Sequence, residues 1–237
     1  MNKIFNGKKL IIFDMDGTLI DSIGVWNEVD RLTVSKLTGD AALYDPDMLR
    51  EQREIALSRF RNDENPYISY CALLKEKYNS PLSAHEIYSI RNAAAAEYLE
   101  KNVDYKAGAA DLIRMLKDAG YILAIATTTR RVNMEIYRTR NRNIIDKANI
   151  DDYFTLVYTL EDAKAIKPDP EIYLHVLSTL NIALCDALVF EDSLAGIEAA
   201  KRAGIDAVSV YDKHSDPDRD KINALADYCI TNFTELL

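Results

Sequence analysis

Apolar residues in this chain follow two rhythms, short unbroken runs and helical spacing, and the order in which these alternate outlines the fold. Leu10 to Phe13 is an unbroken apolar run, the pattern of a strand buried on both faces of a sheet. After Ala107 similar runs recur between helical segments. A helix over Ala109 to Ala119 stops at Gly120, and strands are predicted over Tyr121 to Ala126 and Phe154 to Tyr158. Asp169 and Pro170 open a helix reaching Leu180, Ala187 to Phe190 is a strand, and Ser193 to Ala203 is a helix closed by Gly204. Ala207 to Val210 and Tyr228 to Ile230 complete the strands. Strands alternating with helices call for an α/β fold, a doubly wound parallel sheet with right-handed crossovers.

The stretch between the first strand and residue 102 breaks this alternation. Ser22 is placed to cap a helix carrying Val25, Trp26, Val29, Leu32 and Val34, and Asp45 with Pro46 starts a second through Met48, Leu49, Ile55 and Leu57. Pro66 to Tyr78 and Ala84 to about Glu100 read as two more. The chain is therefore expected to divide into a core of residues 1–21 and 103–237 and an all-helical insert, a cap, of residues 22–102, with hinges near Ser22 and Asn102.

Composition excludes several classes. With 48% hydrophobic and 28% charged residues the composition is ordinary and does not suggest disorder. Its 38 acidic against 29 basic residues give a net charge of −9, which argues against a nucleic-acid or membrane partner but not against a small anion met by a local cationic cluster. No apolar stretch approaches the ~20 residues of a membrane span, and the N-terminal region lacks a signal-peptide pattern. The three cysteines, Cys71, Cys185 and Cys229, form no CxxC and are expected to be reduced core thiols of a cytoplasmic protein. With no heptad pattern and no exposed apolar strand, a monomer is expected.

The candidate chemistry sits where the strands end. Asp14 and Asp16 follow the first strand, with Gly17 and Thr18 directly after. A calcium loop beginning at Asp14 would need Gly at its sixth position and Glu at its twelfth, where Leu19 and Val25 stand. Thr127 follows the second strand, Lys167 lies in KPDPEIY, and Glu191 with Asp192 opens EDSLAGIEAA. In open α/β sheets ligands bind beyond the carboxyl ends of the strands, so these groups stand where chemistry is expected. Arg130, Arg131, Arg138, Arg140 and Arg142 read as a solvated helical face, with Arg130 alone near enough to the second strand end to reach a ligand.

In order, these four groups resemble the motifs of the haloacid dehalogenase superfamily of phosphohydrolases, and the helical stretch falls where that family inserts its first type of cap. The chain is similar to the branch containing phosphoglycolate and sugar-phosphate phosphatases and β-phosphoglucomutase. The resemblance implies a hydrolase acting on small phosphorylated metabolites, with Mg2+ held by Asp14, Asp16, Glu191 and Asp192. It implies that Asp14 is the nucleophile forming an aspartyl-phosphate and that Asp16 is general acid and base. Lys167 and Thr127 would stabilise the phosphoryl oxygens, and Met15 and Thr128, through backbone amides, with Arg130, would contact substrate. Asp16 argues against dehalogenation, whose leaving halide needs no proton, and against the phosphonate-cleaving branch. The cap Gly-x-Ser-Arg segment and cap His of β-phosphoglucomutase are not found, Trp26 occupying that helix, so hydrolysis is favoured over mutase action, with a catalytically silent binding protein as a further alternative.

Overall fold

Phe13 pairs with Ile125 on one side and Phe190 on the other, so the first strand, Leu10–Phe13 (β1), lies in the middle of the sheet. The computed structural model describes residues 2–22, 24–39, 45–60 and 63–237. Its remaining strands are Ile122–Ala126 (β2), Leu156–Tyr158 (β3), Ala187–Glu191 (β4), Asp206–Val210 (β5) and Tyr228–Ile230 (β6). All pair in parallel, in the order β3-β2-β1-β4-β5-β6. The chain steps outward to one side from β1 to β3 and to the other from β4 to β6. The strand order therefore reverses between β1 and β4, the crevice where doubly wound sheets bind ligands.

The sheet belongs to a unit made of residues 1–23 and 103–237. β1 is wholly apolar and wholly buried because both faces of the sheet are covered. On one face Leu10, Ile12, Ala124 and Val189 pack against Ile172 and Val176 of Glu171–Leu180 (α9) and Ile197 and Ala200 of Leu194–Arg202 (α10). The side chains alternate along the strand, so Phe13 and Phe190 point the other way. Their rings stack at 4.9 Å with an interplanar angle of 17°, and Phe233 of the last 3-10 turn lies 6.2 and 5.7 Å from them. Between β1 and β2 this unit adds Ala109–Asp118 (α5), and between β2 and β3 it adds Arg131–Thr139 (α6), Arg142–Ala148 (α7) and Ile150–Tyr153 (α8). Arg219–Leu225 (α11) precedes β6.

A second unit, Gly24–Asn102, is built on Val25–Thr38 (α1), Pro46–Arg59 (α2), Pro66–Lys77 (α3) and Ala84–Lys101 (α4). Asn65 caps α3 ahead of Pro66, and Ser83 with Glu86 forms a reciprocal capping box on α4. Val34, Leu49, Tyr70, Cys71, Leu74 and Ile87 make its core. Asp30 is fully buried between Arg53, at 2.5 Å, and Arg91, at 2.9 Å, and the Arg91 guanidinium lies over the rings of Trp26 and Tyr67.

Two expectations are corrected. Gly24, not Ser22, stands at the cap position of α1, and no side chain caps it; the Ser22 hydroxyl is used elsewhere. Of the three cysteines only Cys71 is a core thiol: Cys185 lies in a surface 3-10 turn and Cys229 on the edge strand β6, and both are exposed. Apolar neighbours in sequence do not bury a residue when the sheet edge leaves it facing solvent. Among the described residues no helix is long and apolar enough to cross a membrane.

Candidate active site

The parallel register brings three strand ends level. Phe13 is aligned with Ile125 and Phe190, so the next residues of β1 and β4, Asp14 and Glu191, emerge side by side. The Asp14 amide donates to the Phe190 carbonyl at 3.0 Å, extending the ladder by one bond. Thr127 leaves β2 one residue beyond Ala126, its amide bonded to the Tyr158 carbonyl at 3.0 Å. Gly17, with φ +82°, turns the chain immediately after Asp16, where a side chain would be strained.

Lys167, from the connection between β3 and α9, reaches this cluster and is nearly fully buried there. Its ammonium donates to Asp14 Oδ1 at 2.5 Å, to Glu191 Oε1 at 2.6 Å and to the Ala126 carbonyl at 2.9 Å, which uses all three of its protons. Glu191 is held in turn: Oε1 also accepts from the Tyr173 hydroxyl at 2.7 Å, and Oε2 accepts from the Ser193 hydroxyl and the Asp192 amide, both at 3.2 Å. Asp192 Oδ1 accepts from the Thr18 hydroxyl at 2.8 Å. The Glu191 carboxylate occupies the space beside Gly196, where an added Cβ would lie within 1.9 to 2.1 Å of it. Sequence reading passed over Thr18, Tyr173 and Gly196. The signal for Gly196 was a glycine near the start of a helix, which propensity disfavours and close approach explains.

Three buried carboxylates face one lysine, an excess of negative charge that burial makes costly. Burial pushes Asp14 well above the ordinary aspartate range, against the attraction of Lys167. Burial, reinforced by the Glu191 charge, pushes Asp192 up to about 7. For Lys167 burial alone would lower the value, but Asp14 and Glu191 outweigh it and keep the ammonium protonated. Oxygen atoms of Asp14, Glu191 and Asp192 lie within 4.8 Å of one another. The donor set is hard and anionic with charge left to neutralise, so it fits a divalent cation such as magnesium. Asp14 and Asp192 are the better donors of the set, because both Glu191 oxygens already have partners.

Asp16 lines the same cavity as Asp14, and three hydroxyls hold its carboxylate. Ser22 donates to Oδ1 at 2.5 Å, Tyr137 of α6 donates to Oδ1 at 3.3 Å, and Thr129 donates to Oδ2. Proton accounting then fixes Thr127. Because Thr129 spends its one hydroxyl proton on Asp16, the 2.9 Å contact between Thr127 and Thr129 must carry the Thr127 proton. With Asp16 ionised, Thr127 faces Thr129, and it must rotate to donate to a ligand.

The cavity of about 410 Å³ is bounded by Asp14, Asp16, Thr128, Lys167 and Asp192, with Leu160 and Ile166 supplying apolar surface. Its size suits a small metabolite. Thr128 is exposed to it, whereas the Met15 side chain is fully buried, which leaves Met15 only its backbone for a ligand. Arg130 is exposed at the N-cap of α6 and is not part of the cavity wall. Arg131, Arg138 and Arg142 pair with Asp162, Asp151 and Asp146 on the surface.

Comparison with known proteins assigns the chain to a family. Residues 11–210 match the family model of haloacid dehalogenase-like hydrolases. A phosphorylated carbohydrates phosphatase of Thermotoga maritima is 29% identical over 84% of this chain and 82% of that protein. Protein CbbY of Rhodobacter capsulatus is 31% identical over 84% of each. A Thermotoga maritima crystal structure provisionally described as a beta-phosphoglucomutase superimposes with a TM-score of 0.74 at 27% identity, covering 94% of both chains. With the family model matching residues 11–210, from β1 through β5 and well over half of the chain, the chain belongs to the haloacid dehalogenase-like hydrolase family.

Proposed function

We propose that the protein is a magnesium-dependent phosphatase of small phosphorylated metabolites, working through an aspartyl-phosphate on Asp14. The observation that carries this reading is the juxtaposition of Asp14, Lys167 and Asp192 at the β1 end of a metabolite-sized cavity, with Asp16 two residues on. The likeness to a phosphatase of phosphorylated carbohydrates supports the same substrate class.

Asp14 attacks phosphorus in line with the leaving oxygen, splitting hydrolysis into two displacements. Magnesium, held by the Asp14 and Asp192 side chains and the Asp16 carbonyl, would supply the positive charge that lets a phosphate dianion approach these carboxylates. Lys167, its three protons held by Asp14, Glu191 and the Ala126 carbonyl, acts on the phosphoryl oxygens as a fixed positive charge beside Asp14. Thr127, once rotated, and the backbone amides of Met15 and Thr128 donate to the same oxygens. Asp16 must enter the cycle carrying a proton, which it gives to the leaving oxygen; the carboxylate left behind then takes a proton from the water that attacks the acyl-phosphate, restoring the acid.

The test is phosphate release from p-nitrophenyl phosphate and a panel of sugar and polyol phosphates, with turnover lost in EDTA and restored by magnesium. No release from any phosphoester overturns the reading. The structural likeness to a provisional beta-phosphoglucomutase favours a second reading, a sugar-phosphate mutase. An isomeric sugar phosphate formed in place of free phosphate would select it.

A further inference from the structure

We propose that Tyr137 is a positioning residue for proton transfer, acting through Asp16; the inference rests on the acid role of Asp16 given above. Asp16 is only partly buried and reaches into the cavity on a short side chain, and a carboxylate with one face in solvent has rotational freedom to lose before it can meet a leaving oxygen. The structure removes that freedom with three hydroxyls on two oxygens. Thr129 holds Oδ2 from the end of β2, and Ser22 and Tyr137 hold Oδ1 from the chain after β1 and from α6. Donors arriving from three different segments fix the plane of the carboxylate, which no single hydrogen bond does.

Tyr137 is the least expected of the three. It lies outside every motif at the strand ends, on a helix whose exposed face carries surface arginines, yet its ring is 1% exposed. Its hydroxyl donates to Asp16 Oδ1 at 3.3 Å from a buried ring. A phenylalanine would fill the same space without an oxygen to satisfy. A buried hydroxyl is kept at a cost unless it has a partner, and the carboxylate it reaches is that of Asp16, with the Ser22 hydroxyl beside it. Rigid rings make good positioning groups because two torsions, both locked by packing, fix the hydroxyl.

A merely structural tyrosine and a positioning one differ in which substrates suffer when the hydroxyl is removed. The experiment compares kcat/KM for p-nitrophenyl phosphate and p-methoxyphenyl phosphate in the wild type, Tyr137→Phe, Asp16→Asn and the double variant. kcat/KM reports the step in which the leaving group departs, and only the poorer leaving group needs the proton. Tyr137→Phe is expected to lower kcat/KM about tenfold on the p-methoxyphenyl ester and less than about twofold on the p-nitrophenyl ester. In the Asp16→Asn background it should cost nothing further. Equal losses on both esters, or an additional loss in that background, overturn the inference while leaving the acid role intact. If Asp16→Asn itself shows no dependence on the leaving group, the acid role fails and the Tyr137 inference falls with it. Retention of the thermal midpoint in Tyr137→Phe shows that the comparison is made on folded protein.

Discussion

Gly196 and the Glu191 carboxylate compete for one volume: a Cβ at position 196 would stand 1.9 Å from Glu191 Cδ. In an ordinary helix, replacing glycine by alanine gains roughly 0.5–1 kcal/mol. Here Gly196→Ala must instead push aside the group that holds Lys167. Activity is expected to fall at least about tenfold, because a misplaced Lys167 loses its grip on developing charge. A shorter acid should make room, so adding Glu191→Asp to Gly196→Ala should restore part of the loss. Wild-type turnover in the Gly196→Ala enzyme would show that Glu191 does not need its present position.

Asp14 is expected to trade stability for chemistry. Its carboxylate is crowded and buried, and burial pushes it well above the ordinary range. Asp14→Asn removes the proposed nucleophile and should reduce turnover to background. In chelator at pH 8 its thermal midpoint should not be lower than that of the wild type, since a neutral amide relieves the repulsion from Glu191 and Asp192. Lys167→Met should lower activity by about 10²–10³. A large drop in the melting point of Asp14→Asn would show that the carboxylate stabilises the fold.

The acid cluster also sets a pH dependence. Asp192 is raised by burial and by Glu191 from the ordinary 3.8 to about 7, and Asp14 is raised in the same direction. A value raised on folding gives stability that is complete below the unfolded value and lost as pH climbs through the folded one. In EDTA the thermal midpoint should therefore fall between about pH 4 and pH 7. Bound magnesium should flatten this slope, because it takes the place of the protons, and its affinity should rise as pH passes through about 7. Asp162 and Asp227 are lowered instead, so their contributions change in more acidic solution. A midpoint that rises from pH 5 to 7 in chelator would contradict the assignment.

In the helical unit the strongest electrostatic commitment is Asp30, whose two oxygens answer Arg53 and Arg91. Asp30→Ala would leave two guanidinium groups in or near the interior without their counter-charge. The expected cost is about 3–5 kcal/mol. Urea unfolding followed by Trp26, the only tryptophan and itself stacked on Arg91, reports it directly. A cost below about 1 kcal/mol would mean that water replaces Asp30 adequately.

Asp14, Glu191 and Asp192 were legible because each stands at the end of an apolar run, and a parallel register carries strand ends to one place, whereas Lys167, in the connection between β3 and α9, was legible only through its motif. Element boundaries in α3, α4, β2 and β4 came within a residue or two for the same reason, since proline, capping residues and glycine mark them locally. Partnerships were harder. Ser22 reads as a helix cap from its neighbours alone, and only the folded chain shows its hydroxyl on Asp16. Tyr137 stands in no motif, and no local pattern announces an acceptor 121 positions away. Thr129 sits beside Thr127 and Thr128, but which hydroxyl of three faces which oxygen depends on the turn after β2.

The ring stack beneath the site gives the chain a remote adjustment. Phe13 immediately precedes Asp14, Phe190 immediately precedes Glu191, and Phe233 touches both rings from the final turn. Lateral spacing between two acid-bearing backbone segments is thus coupled to a residue that meets no ligand. Magnesium demands oxygen at about 2.1 Å, whereas calcium accepts about 2.3–2.6 Å and more donors. Under the proposed magnesium chemistry, a change of ring size at Phe233 is expected to alter ion preference while Asp14 and Asp192 stay unchanged.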